Sequence, residues 1–182
     1  MEKTVQQFRT RDLTAIAACA ALMAVCAWIA IPTDPPFTLQ TMAVFLAVGL
    51  LGGKRGAVAV GLYLVMGAVG LPVFSNFGGG LGVLLGTTGG YILGFLGSAL
   101  VMWAMERLLG RGAAALFCSM VLGLLVCYVF GTVWYMAVYA RSAGPIGLAV
   151  ALGRCVVPFI VPDLCKIAVA QALGLRLRRH VQ

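Results

Sequence analysis

Charged residues are scarce in this sequence. Only 10% of its 182 residues are Asp, Glu, Lys or Arg, and 62% are hydrophobic, whereas a soluble domain is typically about 25% charged and 45–50% apolar. The mean hydropathy is +1.05. This composition excludes an ordinary soluble domain and predicts a chain whose helices are buried in a lipid bilayer.

The sequence also lacks the residues that most catalytic and metal sites need. Its single histidine, His180, lies in the C-terminal tail, and its six cysteines form no C-x-x-C pair. Neither a metal site nor a Ser–His or Cys–His nucleophile is therefore expected. Because no G-x-x-x-x-G-K-[ST] loop is present, the chain is not expected to hydrolyse a nucleotide. We interpret the cysteines as small apolar residues between helices, although the sequence leaves a disulfide open.

The net charge of +8 does not indicate nucleic-acid binding. Of the 13 Lys and Arg residues, only Lys166 lies deep inside an apolar run, and the others lie at the ends of such runs. No basic stripe alternates with aromatic residues, as it does in nucleic-acid binders. Nucleic acid is therefore not expected as a partner.

Apolar runs separated by glycine, proline and basic residues predict an all-α fold, an integral membrane bundle of six helices in one transmembrane domain over residues 1–182. We place the helices at about residues 13–31, 39–52, 56–70, 90–109, 113–139 and 158–175. The first run resembles a signal peptide in its basic flank, but its length and the runs that follow favour a retained helix. The second and third are shorter than the roughly 20 residues that cross a bilayer alone, and residues 146–157 are expected to form a short interfacial helix.

Basic residues alternate between the ends of these helices in a way that predicts their orientation. Two of the 13 Lys and Arg residues, Arg141 and Arg154, fall on one side. Those on the other side are Lys3, Arg9, Arg11, Lys54, Arg55, Arg107, Arg111, Arg176, Arg178 and Arg179. By the positive-inside rule, both termini are cytoplasmic. The proline-rich loop 32–37, the glycine-rich loop 71–90 between helices 3 and 4 and the start of helix 6 then share the outer side.

Two charges stand out in the last apolar run, Asp163 and Lys166. They are three residues apart, so a helix places them on one face, and ionisable groups inside membrane segments by default mark a functional site. The alternative is an ion pair that only satisfies itself, with Asp163 as a helix cap. We favour ligand binding, because Lys166 lies nearly a turn deeper than a cap requires.

Other polar and aromatic residues are predicted to converge on the same outer end. The proline-rich loop and the helix after it bring Phe37 and Gln40, the glycine-rich loop brings Asn76, and Tyr91 follows Gly89-Gly90. A pocket with apolar walls and a few convergent polar groups is the usual pattern of a small-molecule site. The glycine-rich loop could be a flexible linker, but its large apolar residues favour a lid folded onto the protein.

Helix 1 carries a stripe of small residues with helical spacing, Ala17, Ala20, Ala21 and Ala24. Such a stripe lets another helix approach closely. The approaching helix could belong to a partner protein or to the same bundle.

Four stretches carry a resemblance to a known family. They are FTLQT at 37–41, GLPVF at 70–74, GTTGGYILGF at 86–95 and PFIVPDLCK at 158–166. In these stretches the chain resembles the BioY family, the biotin-specific substrate-binding (S) components of energy-coupling-factor (ECF) vitamin transporters. The resemblance spans nearly the whole chain, although residues 109–157 carry little of it.

The resemblance implies a protein of the prokaryotic cytoplasmic membrane that binds biotin at its outer face and is not an enzyme. It implies partners, a transmembrane coupling protein and two ATPases that use ATP, with docking on the small-residue face of helix 1. No cofactor is expected in this chain. Asn76, Asp163 and Lys166 match the family's ligand-contacting positions.

Biotin would suit these residues chemically, with Asp163 accepting from its ureido N–H groups and Phe37, Phe74 and Tyr91 contacting its apolar part. Lys166 could meet either the ureido carbonyl or the carboxylate, and the sequence leaves open which end of biotin lies deeper. Three alternatives are another vitamin, a structural membrane subunit, and a small membrane enzyme that acts on a lipid or prenyl substrate.

Overall fold

The structure, a computed structural model, describes residues 9–33 and 35–181, with side chains up to residue 178. Within these residues the chain forms eight α-helices, one 3-10 turn and a two-stranded antiparallel hairpin. The helices are α1 Thr10–Trp28, α2 Gln40–Leu51, α3 Gly53–Ala68, α4 Leu81–Leu84, α5 Gly89–Leu109, α6 Ala113–Ala143, α7 Leu148–Cys155 and α8 Val157–Val181. The strands are β1 Ala30–Ile31 and β2 Phe37–Thr38, and the 3-10 turn is Ser75–Phe77.

The mostly helical fold agrees with the sequence prediction, but the described residues hold one helix more than the six bundle helices and the short interfacial helix that were predicted. Helices α1, α2, α3, α5, α6 and α8 lie where the six were expected, and α7 lies within the stretch expected to be a short helix. Helix α4 is the additional helix that the sequence did not indicate. It is a single turn between glycines, too short to show a helical pattern of apolar residues. Helix α6 continues to Ala143, and α8 continues through the basic tail, since Arg and Leu are good helix formers.

Four of the described helices, α1, α5, α6 and α8, are long and apolar enough to cross a membrane. Their outer faces carry large exposed apolar side chains, such as Val129 on α6 and Val161 on α8. A soluble protein rarely exposes so many, whereas lipid solvates them well. Helix α2 has only 12 residues and is buried on nearly all sides, as expected of a helix that is apolar all round.

Glycine allows α5 and α6 to pack closely. A Cβ on Gly90 would lie 2.2 Å from Cβ of Trp134, and one on Gly131 would lie 2.2 Å from the ring of Tyr91. The hydroxyl of Ser98 also donates to the carbonyl of Gly123 at 2.7 Å. The two helices therefore form one rigid wall of the bundle.

Basic residues gather at the opposite end of the bundle from the hairpin. A carboxylate oxygen of Glu106 accepts from the backbone N–H of Gly53 and the other accepts from Arg111 at 2.7 Å. Arg178 donates to the backbone carbonyls of Gly49 and Arg111. These bonds tie α8 to the α2–α3 junction and to the α5–α6 loop. Lys3 and the side chains of Arg179 and His180, on which the sequence argument also drew, lie outside the described residues.

The contact between Gly90 and Trp134 can be tested by substitution. Gly90→Ala would force a methyl group against the Cβ of Trp134, and overpacking of this kind typically costs about 1–3 kcal/mol. We expect a lower thermal unfolding temperature in detergent. The matched control is Gly97→Ala on the same helix, whose Cβ would have an ordinary 3.4 Å contact; equal effects of the two changes would contradict the close packing.

Candidate functional site

A cavity opens at the hairpin end of the bundle, with an empty volume of about 650 Å³ that includes open solvent at its mouth. The wall is mainly apolar and aromatic, with a few polar side chains. It is formed by Pro35, Pro36, Thr38, Gln40, Thr41, Ser75, Thr88, Tyr91, Ile92, Phe95, Leu124, Cys127, Tyr128, Cys155, Phe159, Asp163 and Lys166.

The most polar part of the wall is the pair Asp163 and Lys166 on α8. The Nζ atom of Lys166 lies 2.7 Å from Oδ1 of Asp163, at the spacing i, i+3. The two residues are only 3% and 6% exposed. Removing two charges from solvent is costly even when they pair, so the protein maintains this pair at a cost in stability.

Two aromatic groups complete the surroundings of the pair. The hydroxyl of Tyr128 on α6 donates to Oδ2 of Asp163 at 2.7 Å. The ammonium group of Lys166 lies 4.0 Å from the ring centroid of Phe37, a cation–π contact. That ring stacks on Phe159, with a centroid distance of 5.9 Å. The hairpin, α6 and α8 therefore meet at one charged spot.

Gln40 enters the cavity wall from the first turn of α2. Its Nε2 donates to the hydroxyl of Tyr63 at 2.8 Å, and that hydroxyl donates to the carbonyl of Val73 at 2.9 Å. Because Gln40 and Tyr63 are both buried, these two bonds hold the amide of Gln40 in one orientation. They also attach the start of the glycine-rich loop to the cavity wall.

Tyr91 is held on α5 by its neighbours on α6. Its hydroxyl lies 3.0 Å from that of Thr132, and its backbone carbonyl accepts from the thiol of Cys127 at 3.4 Å. The ring also contacts Gly131, where a side chain would not fit. Tyr91 therefore presents a fixed aromatic surface to the cavity.

The structure brings together most of the site residues that the sequence indicated. Gln40, Tyr91, Asp163 and Lys166 line the cavity. Phe37 is not part of the wall, but its ring contacts the ammonium group of Lys166. Two others lie elsewhere. Phe74 is fully buried against Tyr63, and Asn76 is exposed on the 3-10 turn.

Asn76 has a strained backbone, and it lies beside the cavity and not on its wall. Its φ of 55° and that of Phe77, 56°, are in the left-handed region, which is uncommon for residues other than glycine. The preceding residue, Ser75, does line the cavity. Contact of Asn76 with a ligand stays a prediction.

Sequence reasoning missed Tyr128 and Thr132. A signal was present, because both carry hydroxyl groups, are spaced i, i+4 and interrupt an apolar run. Helical spacing places them on one face, and a polar face within a membrane helix is directed to the protein interior. The bond between Tyr128 and Asp163 depends on how α6 meets α8, which sequence spacing does not show.

The small-residue stripe of helix 1 divides into two parts. Ala20 and Ala24 are 0% and 5% exposed inside the bundle, whereas Ala17 and Ala21 are exposed. Ala20 and Ala24 therefore pack inside the bundle, whereas Ala17 and Ala21 remain accessible to a partner helix. None of the six cysteines, which all lie within the described ranges, forms a disulfide.

The sequence model of the BioY family matches residues 1–182 of this chain. The chain belongs to the BioY family. Curated relatives agree over nearly their whole length. The biotin transporter BioY of Thermotoga maritima is 42% identical, with 93% of this chain and 96% of that protein covered. A probable biotin transporter BioY of Pyrococcus horikoshii is 39% identical, with 93% and 98% covered.

A solved structure is also similar. It is a crystal structure of the S-component for biotin from an ECF-type ABC transporter, with a TM-score of 0.83 and 26% sequence identity. The match covers 98% of this chain and 95% of that one. The fold similarity therefore extends over nearly the whole of this chain.

The buried pair allows a prediction about the ligand-free protein. Lys166→Met would leave the carboxylate of Asp163 buried without its cation, and breaking a buried pair in this way typically costs about 3–5 kcal/mol. We expect a clear fall in the thermal unfolding temperature in detergent. The double change Asp163→Asn/Lys166→Met should recover part of the loss, because no charge is then left buried.

The control for this experiment is Arg141→Met, which removes an exposed basic side chain near the end of α6. It should change the unfolding temperature little. A double variant that is less stable than Lys166→Met alone would contradict the explanation that the buried, unpaired carboxylate causes the loss.

Proposed function

We propose that this chain is the biotin-binding S component of an ECF-type uptake transporter. The observation that carries the proposal is the buried pair Asp163 and Lys166 on the wall of an otherwise apolar cavity, in a member of the BioY family. The relatives named as biotin transporters and the solved S-component for biotin support the choice of ligand. The proposal requires recognition and movement of biotin without a chemical change to it.

The donors and acceptors of biotin fit Asp163 and Lys166 in only one orientation of the ligand. Biotin carries an anionic carboxylate at one end and two ureido N–H donors at the other. The carboxylate has no hydrogen to donate to Asp163, whereas the ureido N–H groups do, so we infer that the ureido N–H groups face Asp163. Lys166 then meets the ureido carbonyl, while Tyr91, Phe95 and Phe159 suit the apolar ring and chain.

We further propose that the chain is one transmembrane domain over residues 1–182 in the cytoplasmic membrane of a prokaryote. In this arrangement α2 and α3 join the four long apolar helices to make six crossing segments, and both termini face the cytoplasm. The Glu106, Arg111 and Arg178 cluster at one end and the cavity at the other support this orientation. The positive-inside rule would place the cluster inside and the cavity outside.

Inward delivery of biotin needs an energy source that this chain is not expected to supply. We propose that a transmembrane coupling protein and two ATPases complete the transporter, as the relation to an S component implies. The exposed half of the small-residue stripe, Ala17 and Ala21, would dock the coupling protein. Small side chains there allow the backbone of a partner helix to approach closely.

Biotin binding by the isolated protein tests the proposal. The purified protein in detergent should bind biotin stoichiometrically in isothermal titration. Asp163→Asn should weaken binding at least about tenfold, because it removes hydrogen bonds to a charged acceptor. The matched control is Asp12→Asn, which makes the same change in a carboxylate that pairs with Arg55 away from the cavity.

Absence of heat and of competition with labelled biotin would refute biotin as the ligand. Binding of another vitamin would show that the protein is an S component for that vitamin instead. Turnover of a lipid or prenyl compound by the purified chain would favour an enzyme. Equal affinity of wild type and Asp163→Asn would show that the site is elsewhere.

The docking proposal predicts a separation of transport from binding. Ala21→Leu should impair biotin uptake by the complete complex and leave binding by the isolated chain unchanged, because the added bulk lies on an exposed face. Ala137→Leu makes the same substitution at an exposed position of α6 and should affect neither. Loss of binding in Ala21→Leu would mean that the stripe serves internal packing.

A further inference from the structure

We propose that Tyr128 is a positioning residue for biotin, one that acts through Asp163. Its hydroxyl would hold the Asp163 carboxylate in the direction in which it accepts the ureido N–H groups. This inference rests on the proposed function and assigns a role to a residue of α6, a helix that the family resemblance in the sequence hardly touches.

The two oxygens of Asp163 have separate donors. Oδ1 accepts from Nζ of Lys166 and Oδ2 accepts from the hydroxyl of Tyr128, each at 2.7 Å. Lys166 lies on the same helix as Asp163 and moves with it, so it cannot fix the carboxylate relative to the rest of the wall. Tyr128 can, because it comes from α6 on another side of the cavity.

The part of α6 that carries Tyr128 is itself anchored to α5. On the residue before it, the thiol of Cys127 donates to the carbonyl of Tyr91 at 3.4 Å, and one turn later Thr132 meets the Tyr91 hydroxyl at 3.0 Å. The close contact of Gly131 with the Tyr91 ring adds a third restraint. The Tyr128 hydroxyl is therefore a fixed reference point for Asp163.

The contact from Tyr128 does not exhaust the acceptor capacity of Asp163. A carboxylate has about four lone-pair sites, and the two contacts with Lys166 and Tyr128 use one on each oxygen. Both Asp163 and Tyr128 line the cavity, so the remaining sites are available to a ligand. A carboxylate already held in place loses less conformational freedom when the ligand binds, and this raises affinity.

The test compares biotin affinity in wild type, Tyr128→Phe and Tyr135→Phe. Tyr128→Phe should weaken binding about tenfold, the effect typical of losing a hydrogen bond to a charged group. Tyr135 is the matched control, because it is a buried tyrosine on the same helix that neither bonds to Asp163 nor lines the cavity. Tyr135→Phe should leave the affinity unchanged.

A double-mutant cycle separates positioning from a general effect on the fold. In the Asp163→Asn background, the further change Tyr128→Phe should alter biotin affinity less than about twofold, since the charged acceptor is gone. Thermal unfolding of the same four proteins without biotin measures the coupling even where binding becomes too weak to titrate. There too the effects of the two changes should not add.

The outcomes distinguish this inference from the function on which it rests. Wild type that fails to bind biotin overturns the proposed function and the role of Tyr128 together. Wild type that binds, with Tyr128→Phe of equal affinity, overturns only the role of Tyr128. Additive effects of the two changes on unfolding, or an equal loss of affinity in both backgrounds, would likewise show that Tyr128 does not act through Asp163.

Discussion

The site depends on keeping two opposite charges, Asp163 and Lys166, buried in an apolar bundle. Both side chains are almost fully buried, so each needs hydrogen-bond partners or polarisable groups from the protein. Helix α6 supplies the hydroxyl of Tyr128 and the hairpin supplies the ring of Phe37. Because the pair needs these contacts, α6, α8 and the hairpin must meet closely at the cavity.

Close packing elsewhere makes that meeting possible. Glycines at 90 and 131 let α5 and α6 lie against each other, which keeps the Tyr128 hydroxyl in place. At the other end of the bundle, Arg178 binds α8 to the carbonyls of Gly49 and Arg111. Helix α8 is thus held at both ends, and a ligand that contacts Asp163 contacts an element connected to the whole bundle.

Sequence reasoning found the residues that are chemically unusual for their surroundings. Asp163 and Lys166 were evident because charges are rare in this chain, and Gln40 because it follows a proline-rich loop. It placed Phe74 near the ligand, whereas the structure buries Phe74 against Tyr63. An apolar residue in a glycine-rich loop can point to the core or to the cavity, and composition does not distinguish the two.

The sequence by itself determined the membrane class, the positions of the main helices, the family and the charged pair, because hydropathy, helical spacing and motif identity are local properties of the chain. Only the tertiary structure decided that Tyr128 donates a hydrogen bond to Asp163, that Gln40 is held by Tyr63, and that the helix 1 stripe divides into buried and exposed halves. These facts depend on the rotation of each helix about its axis and on its neighbours. Contacts between residues far apart in the chain set that rotation, and no local pattern encodes it.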